Sequence, residues 1–266
     1  MERPTFSANT GFLWTDRPVL ERIVAAGRAG FDAVELHDEW RGETIDDLRA
    51  ALREAGRGGT ALRLLGINTR MGETSGAAAI PGDEDGARED IDEAIEAASA
   101  LGDRAVHVLA GKVRRTPETL AAYHPNLGYA CARAARARNE HAPDGLTVLI
   151  EPLSKVARPV YPLRTLAQAA ATLDRVGAPN LRVLFDVFHV HAEGDDLATA
   201  MREHVDRVGH VQIADPVTRH EPRAEDPHAI GPLLAAFRAA GYEGPFGCEY
   251  VPEGSVEDGL GWRESL

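Results

Sequence analysis

Two patterns of apolar and polar residues, one typical of helices and one typical of strands, follow each other in turn along the whole chain. Helix-like stretches rich in Ala, Leu, Arg and Glu are followed by a Gly-containing break and then by a short β-branched run. The clearest copies are AGFDAVELHD, ALGDRAVHVLAG, VGAPNLRVLFDVFH and AGYEGPFGCEY. In each copy a Gly lies just past the helical stretch, where it suits a left-handed C-terminal cap. The pattern indicates one βα unit that is used repeatedly.

The apolar runs predict eight parallel strands, near Phe6–Asn9, Ala33–His37, Leu64–Asn68, Ala105–Leu109, Thr147–Glu151, Leu181–Asp186, Val208–Ala214 and Pro245–Tyr250. The helical stretches between them predict helices near Arg17–Ala29, Ile45–Ala55, Asp83–Leu101, Pro117–Asn139, Leu163–Val176, Asp195–Val205 and Pro227–Ala240. Few residues follow the last strand, and they are rich in Gly and Glu. We therefore expect a final helix that is short, irregular or absent.

Eight repeated units predict an α/β fold of the (β/α)8 TIM-barrel type. The competing architecture is a doubly wound open sheet, whose nucleotide-binding form needs a glycine fingerprint in the first strand-to-helix turn. Here that turn reads SANTGFLWTDRP and holds one glycine. The chain contains no Ser/Gly linker and no low-complexity tract. We therefore expect residues 1–266 to form a single barrel domain.

The charge balance narrows the range of partners. The 266 residues include 29 basic and 42 acidic side chains, a net charge of −13, which repels nucleic acid phosphates and anionic membrane surfaces. We therefore expect neither nucleic acid nor a membrane as partner, whereas self-association into a homo-oligomer is left open. Two cysteines and an N-terminus without a signal-peptide pattern predict a reduced, cytoplasmic protein. No apolar stretch approaches the roughly 18 residues of a membrane span.

Oxygen-bearing side chains follow several of the apolar runs. In a TIM barrel the catalytic groups project from the carboxyl ends of the strands, so these side chains form one set. Four runs, VLIEP, VLFDVFH, HVQIAD and FGCEY, place donors there: Glu151, Asp186, Gln212 and Glu249. Three carboxylates and an amide oxygen suit one divalent ion, Mg²⁺ or Mn²⁺ in preference to Zn²⁺, which recruits more imidazole or thiolate.

Other polar residues near these ends have subsidiary roles in this interpretation. Glu35 is expected to orient His37 or another inner side chain. Two roles are equally open for His107: it fills the barrel interior, or it contacts the substrate. His189 and His210 are expected to share a strand face with Asp186 and Gln212, as further donors around the site. Arg70 and Arg219 are candidates for binding a substrate carboxylate.

The segments FDAVELHDEW, RAVHVLAG, VLIEPLS, NLRVLFDVFHV, GHVQIADPVTRHEP and GYEGPFGCEY resemble the hydroxypyruvate isomerase family of the wider xylose isomerase-like TIM-barrel superfamily. The similarity runs nearly the whole length. HVQIAD followed by RHEP, and GCEY followed by GLGW, are its most specific parts. The resemblance implies that Glu151, Asp186, Gln212 and Glu249 are metal ligands, and that Glu151 and Glu249 are the paired catalytic glutamates.

Two stretches depart from the family pattern. The segment after strand three, Thr69–Ile80, is shorter and lacks a Trp, and the stretch after Pro222 reads RAEDPHAIG in place of a Gly-Thr-Gly-Glu run. Both belong to loops at the mouth of the barrel. We therefore expect a wider, wetter mouth that turns over hydroxypyruvate poorly and a longer keto sugar better.

The predicted chemistry is proton transfer beside a carbonyl group. The cation lowers the cost of an enediolate, and Glu151 and Glu249 move the proton on opposite sides of a small-molecule carbonyl substrate. This interconverts an aldehyde and a ketone, as in hydroxypyruvate and tartronate semialdehyde. Epimerisation of a ketose or keto-polyol needs the same groups and stays open. A zinc endonuclease and a non-catalytic sugar-binding barrel fit less well, because the charge is strongly negative and both glutamates are present.

Overall fold

The computed structural model describes residues 3–223 and 230–265 and contains a closed barrel of eight parallel strands in sequential order. The strands are β1 (Phe6–Asn9), β2 (Ala33–Leu36), β3 (Arg63–Asn68), β4 (Ala105–His107), β5 (Thr147–Ile150), β6 (Leu181–Asp186), β7 (Val208–Ile213) and β8 (Phe246–Cys248). The pairing of Phe6 with Phe246 and of Ala8 with Cys248 closes the barrel. The predicted TIM-barrel fold is confirmed.

Helices surround the barrel in the order that the sequence predicts. They are α1 (Val19–Arg28), α2 (Ile45–Ala55), α3 (Glu84–Leu101), α4 (Pro117–Ala134), α5 (Leu166–Val176), α6 (Val187–Ala192), α7 (Leu197–His204), α8 (Ile230–Ala239) and α9 (Val256–Gly259). Short 3-10 turns span Glu39–Gly42, Val205–Arg207 and Leu260–Ser265. The last helix is short, as predicted. Within the described residues, no helix is long and apolar enough to cross a membrane.

The helices of the structure do not all match the predicted ones. The fourth helix ends at Ala134 and does not reach Asn139, because the residues after Ala134 offer no buried apolar position to hold another turn. A helix that was not predicted, α6, begins directly after β6, where the Asp186 carboxylate accepts a hydrogen bond from the backbone N–H of His189 at 2.9 Å. The predicted start of the helix at Pro227 lies outside the described residues.

The interior of the barrel changes from apolar to polar along its axis. Ala105, Leu149 and Leu184 form a small apolar cluster of their own, separate from the large core between strands and helices. Buried polar side chains fill further inward positions, among them Ser7, Glu35 and Gln212. Burying such groups is costly unless each finds a partner, so their contacts indicate where function constrains the sequence.

Candidate active site and metal centre

The four predicted oxygen donors all lie at the carboxyl ends of strands. Asp186 and Gln212 lie in β6 and β7, and their Cα positions are paired across the sheet. Glu151 and Glu249 each follow the last residue of their strand, β5 and β8. All four side chains are buried, with at most 5% of each residue exposed. The barrel therefore carries three carboxylates in a largely water-excluded position.

Three of them, Glu151, Gln212 and Glu249, line a cavity with about 590 Å³ of empty volume, including its open mouth. Its wall combines acidic and basic side chains with apolar ones. The lining residues are Phe12, His37, Asn68, Met71, Ser75, His107, Leu109, Glu151, Leu153, Ala157, Arg158, His189, Gln212, Arg219 and Glu249. A cavity with this lining suits a small polar molecule.

Three of the carboxylates crowd one another. One ligand atom from each of Glu151, Asp186, Glu249 and His189 lies within 4.8 Å of all the others. Burial, with the negative charges of Glu249 and Asp186, raises the pKa of Glu151 well above its usual range. Burial, with the charge of Glu249, also raises the pKa of Asp186 to about 7. Such a cluster is compensated by positive charge, which a divalent ion would supply.

Glu249 is the member of the cluster that is held as an anion. It accepts hydrogen bonds at 2.7 Å from both Asn9 Nδ2 and Arg219, and His37 Nε2 lies 3.7 Å from its Oε2 atom. Burial opposes ionisation, but the His37 interaction and the Arg219 charge outweigh it and lower the pKa of Glu249 to about 2. The two glutamates of the cavity therefore differ strongly in environment.

Two buried oxygens of the cluster residues lack a hydrogen-bond partner in the described part of the chain. They are Glu151 Oε1 and Gln212 Oε1. A buried oxygen without a donor costs about 1–3 kcal/mol, so two in one cavity call for a cation or a bound ligand. Carboxylate and amide oxygens are also the donors that hard divalent ions prefer. The donor set therefore fits a divalent metal ion.

Glu35 fixes which end of the Gln212 amide is free. Its carboxylate accepts hydrogen bonds from Gln212 Nε2 at 2.8 Å and from Ser7 Oγ, and His210 Nε2 lies 3.0 Å from it. Burial opposes ionisation, but these partners lower the pKa of Glu35. A carboxylate only accepts, so the amide must turn its nitrogen to Glu35 and leave its oxygen free. Glu35 thus orients an inner side chain, as the sequence predicts.

His210 is one of the predicted contacts that does not line the cavity. Its Nδ1 atom lies 3.2 Å from the hydroxyl of Tyr242, while Nε2 meets Glu35. A Cβ on Gly247 would collide with both Glu35 and His210, so the adjacent strand must present a glycine here. His210 therefore supports Glu35 and does not reach a molecule in the cavity.

His189 reaches the cavity from the first turn of α6, and the expectation that it shares a strand face with Asp186 is wrong. The chain turns into a helix at Asp186, which caps it, so the period of a strand no longer applies. The backbone N–H of Ser154 donates to His189 Nδ1 at 3.3 Å. Burial and the nearby charge of Arg219 lower the pKa of His189 to about 3, so the ring is neutral.

His107 also lines the cavity. Its Nε2 atom is buried without a hydrogen-bond partner in the described residues and lies 3.8 Å from Glu151 Oε2. Burial lowers the pKa of His107 to about 4, which keeps the imidazole neutral. A neutral ring with a free nitrogen beside a glutamate can contact a bound molecule.

The two arginine candidates lie in different places, one outside the cavity and one in its wall. Arg70 is exposed and pairs with Asp90 and Glu93 outside the cavity, so it does not reach the site. Arg219 lies in the cavity wall in a left-handed backbone conformation, with φ of 61°. Its guanidinium lies between the rings of Phe12 and Phe188, 4.6 and 4.7 Å from their centroids.

Several wall residues were not predicted. Phe12, Met71, Ser75 and Arg158 come from the loops after β1, β3 and β5. Loops lack the periodicity that reveals strands and helices, so these residues carry no positional signal in a single sequence. Arg158 could have been found only by considering every arginine of the loops at the carboxyl ends of the strands.

Comparison with known proteins gives a consistent result. The family model described as xylose isomerase-like TIM barrel matches residues 23–266. A Homo sapiens protein assigned by name to the hydroxypyruvate isomerases is 36% identical over 98% of this chain and 94% of its own. A 2-oxo-tetronate isomerase from Pectobacterium atrosepticum is 34% identical over 98% and 97%.

A solved structure is also similar. The crystal structure described as AP endonuclease, family 2, from Brucella melitensis is 31% identical, with a TM-score of 0.87 over 97% of each chain.

Proposed function

Because the chain belongs to the xylose isomerase-like TIM-barrel family, we propose that it is a metal-dependent isomerase of a small 2-oxo acid. The reaction moves a proton between two adjacent carbons and so interconverts the positions of carbonyl and hydroxyl groups. The single observation that carries the proposal is the set of strand-end oxygens, two of which are buried without a hydrogen-bond partner among the described residues and belong to side chains that line one cavity. Named isomerases among the relatives support the choice of reaction.

Glu151, Asp186, Gln212 and Glu249 would hold the ion, which is Mg²⁺ or Mn²⁺ in this proposal. His189 is left out of this ligand set. Its Nδ1 atom contacts the N–H and the hydroxyl of Ser154 at 3.3 and 3.0 Å, and its Nε2 atom lies 3.4 Å from Arg219 Nη2. Both ring nitrogens therefore already have partners, and the ring lies in the cavity wall, where it can contact a substrate.

When bound, the ion would polarise the carbonyl and stabilise negative charge on the substrate oxygens. Glu151 and Glu249 then hold and transfer the proton, one on each side of the substrate backbone. Arg219 and His37 keep Glu249 ionised, and the flanking rings of Phe12 and Phe188 hold the arginine in place. The cavity wall limits water around the charged intermediate, which strengthens each of these interactions.

The relatives supply the substrate class. One is named for hydroxypyruvate and another for 2-oxo-tetronate, which are both short 2-oxo acids with a neighbouring hydroxyl group. We extend this class to the present chain, in place of the longer keto sugar that the sequence alone led us to expect.

The endonuclease alternative draws on the Brucella melitensis structure. It is not favoured, because three of the four cluster residues are carboxylates and the chain carries a net charge of −13.

The test is proton exchange followed by NMR in deuterated water. The protein is supplied with Mg²⁺ and offered hydroxypyruvate, tartronate semialdehyde, 2-oxotetronate, ketopentoses and ketohexoses. We expect deuterium at the carbon next to the carbonyl of a 2-oxo acid, with formation of the isomeric carbonyl compound. Inversion at one carbon of a ketose without carbonyl migration would show an epimerase, and no exchange with any compound would contradict the proposal.

A further inference from the structure

The cavity contains a second arginine, Arg158, which forms no ion pair with a carboxylate in the described part of the chain. Arg158 lies in the loop between β5 and α5 and lines the cavity with Ala157 and Leu153. Among the described residues it forms no ion pair, and its only side-chain hydrogen bond runs from Nη1 to the carbonyl of Ala157 at 3.1 Å. Its Nε atom is buried and has no hydrogen-bond partner within the described ranges. An arginine in this state has donors available for an anion.

Arg219 cannot serve the same purpose as readily. Its Nη2 atom donates to Glu249 at 2.7 Å and lies 4.0 Å from Asp186. Aromatic rings cover it at Phe12 and Phe188, so its position is fixed by the residues around it. A substrate anion would have to compete with a buried glutamate for this guanidinium, at a cost that leaves the glutamate unpaired. The two arginines therefore have different roles: Arg219 is bound to Glu249, and Arg158 is available to a substrate anion.

The backbone places Arg158 beside the groups that meet the substrate. The N–H of Arg158 donates to the carbonyl of Ser154 at 2.8 Å, and Ser154 in turn binds His189. One short turn thus positions both the neutral histidine and the free arginine. Burial raises the pKa of Glu151 and lowers that of His189, and the positive charge of Arg158 pulls both pKa values downward. The charge of Arg158 is therefore felt inside the cluster.

We propose that Arg158 binds the carboxylate of the substrate and so selects 2-oxo acids over neutral keto sugars. In a 2-oxo acid the carboxylate is attached directly to the carbonyl carbon. A substrate whose carbonyl lies beside the strand-end oxygens therefore places its negative charge close to those oxygens as well. That charge is repelled by the glutamates and needs a cation in the wall. A guanidinium offers paired donors that match the two carboxylate oxygens. This inference rests on the proposed function and adds the residue that decides the substrate class.

The experiment compares Arg158→Gln with the wild type on hydroxypyruvate and on dihydroxyacetone, which has a hydroxymethyl group in place of the carboxylate. We expect KM for hydroxypyruvate to rise about 10- to 100-fold, the range for a charged hydrogen bond, while kcat/KM for dihydroxyacetone stays within a few-fold. Binding of D-glycerate and of glycerol to the Mg²⁺-loaded protein, measured by calorimetry, should show the same difference without turnover.

Two further variants keep the test decisive. Arg70→Gln is the matched control, because Arg70 is an exposed arginine that does not line the cavity, and it should leave both compounds unaffected. Arg158→Lys keeps the charge and loses the planar fork, so it should recover part of the affinity for hydroxypyruvate. Equal losses with Gln and Lys, on both the acid and the neutral compound, would show a packing role and overturn the inference.

The outcomes separate this inference from the proposed function. A wild type that isomerises 2-oxo acids, with Arg158→Gln unchanged in KM, would overturn the role of Arg158 alone. A wild type that acts on neutral keto sugars but on no 2-oxo acid would overturn both.

Discussion

At the scale of single residues, Glu249 has the most specific surroundings. Three side chains, Asn9, His37 and Arg219, present donors or positive charge to its two oxygens. Glu249→Gln is nearly isosteric, but its amide cannot take up a proton and must turn its NH₂ group toward one of those donors. We expect activity to fall about 100- to 10,000-fold, while the variant still folds and loses only the stability of one buried hydrogen bond, about 1–3 kcal/mol. Steady-state rates and circular dichroism check this, and near-wild-type turnover would leave Glu249 as a ligand only.

The carboxylate of Glu35 is expected to affect metal binding through Gln212, whose amide it orients. Glu35→Met removes the acceptor for Gln212 Nε2 and frees the amide to rotate. Loss of such a supporting contact typically costs about 10- to 100-fold in metal affinity, and we expect Mn²⁺ binding by calorimetry to weaken by that factor. Ser7→Ala is the control, since it removes one donor to the same carboxylate and leaves the Gln212 contact in place. Unchanged Mn²⁺ affinity in Glu35→Met would contradict the orienting role.

At the scale of elements, the start of β4 carries a buried carboxyl group away from the cavity. Asp103 is fully buried, and its Oδ1 accepts from the backbone N–H groups of Arg104 and Ala105 at 2.5 and 3.3 Å. Its Oδ2 has no hydrogen-bond partner within the described ranges. Burial raises the pKa of Asp103 from an ordinary 3.8 to about 8, so the folded protein holds a proton there that the unfolded chain releases.

This proton makes stability depend on pH. Between about pH 4 and 8 Asp103 is protonated in the native state and ionised in the unfolded state, so the contribution of this group to the free energy of unfolding falls as pH rises. Asp103→Asn keeps the Oδ1 acceptor and removes the titration. Chemical unfolding of both proteins from pH 5 to 9 should show the variant gaining stability relative to the wild type up to about pH 8 and then levelling off. A constant difference across that range would show that Asp103 does not titrate there.

The strands, helices and loops also show which features of the site can be predicted from the sequence alone. Strand ends were predictable because a buried strand has a simple period and the barrel brings all carboxyl ends to one face, which placed Glu151, Asp186, Gln212 and Glu249 together. The helix after Asp186 was missed, because a side chain that ends a strand can also cap a helix. Arg158 was missed because a loop has no period to follow.

At the scale of the whole molecule, the barrel mouth determines which substrates enter. The short segment after β3 contributes Met71 and Ser75 to the cavity wall, and the loop after β7 contributes Arg219. We expect the short segment to leave room for a chain longer than three carbons, so that kcat/KM is higher for 2-oxotetronate than for hydroxypyruvate. Steady-state comparison of the two acids decides this. A clear preference for hydroxypyruvate would show that the loop after β7 closes the site.

The central claim is that four strand ends converge on one metal ion, and anomalous diffraction from crystals soaked in Mn²⁺ tests it most directly. We predict a single strong peak within about 2.0–2.6 Å of oxygens from Glu151, Asp186, Gln212 and Glu249, with His189 Nε2 outside bonding distance. A cavity that stays free of Mn²⁺ at saturating concentration, or an ion bound through His189 with Gln212 turned away, would contradict the account.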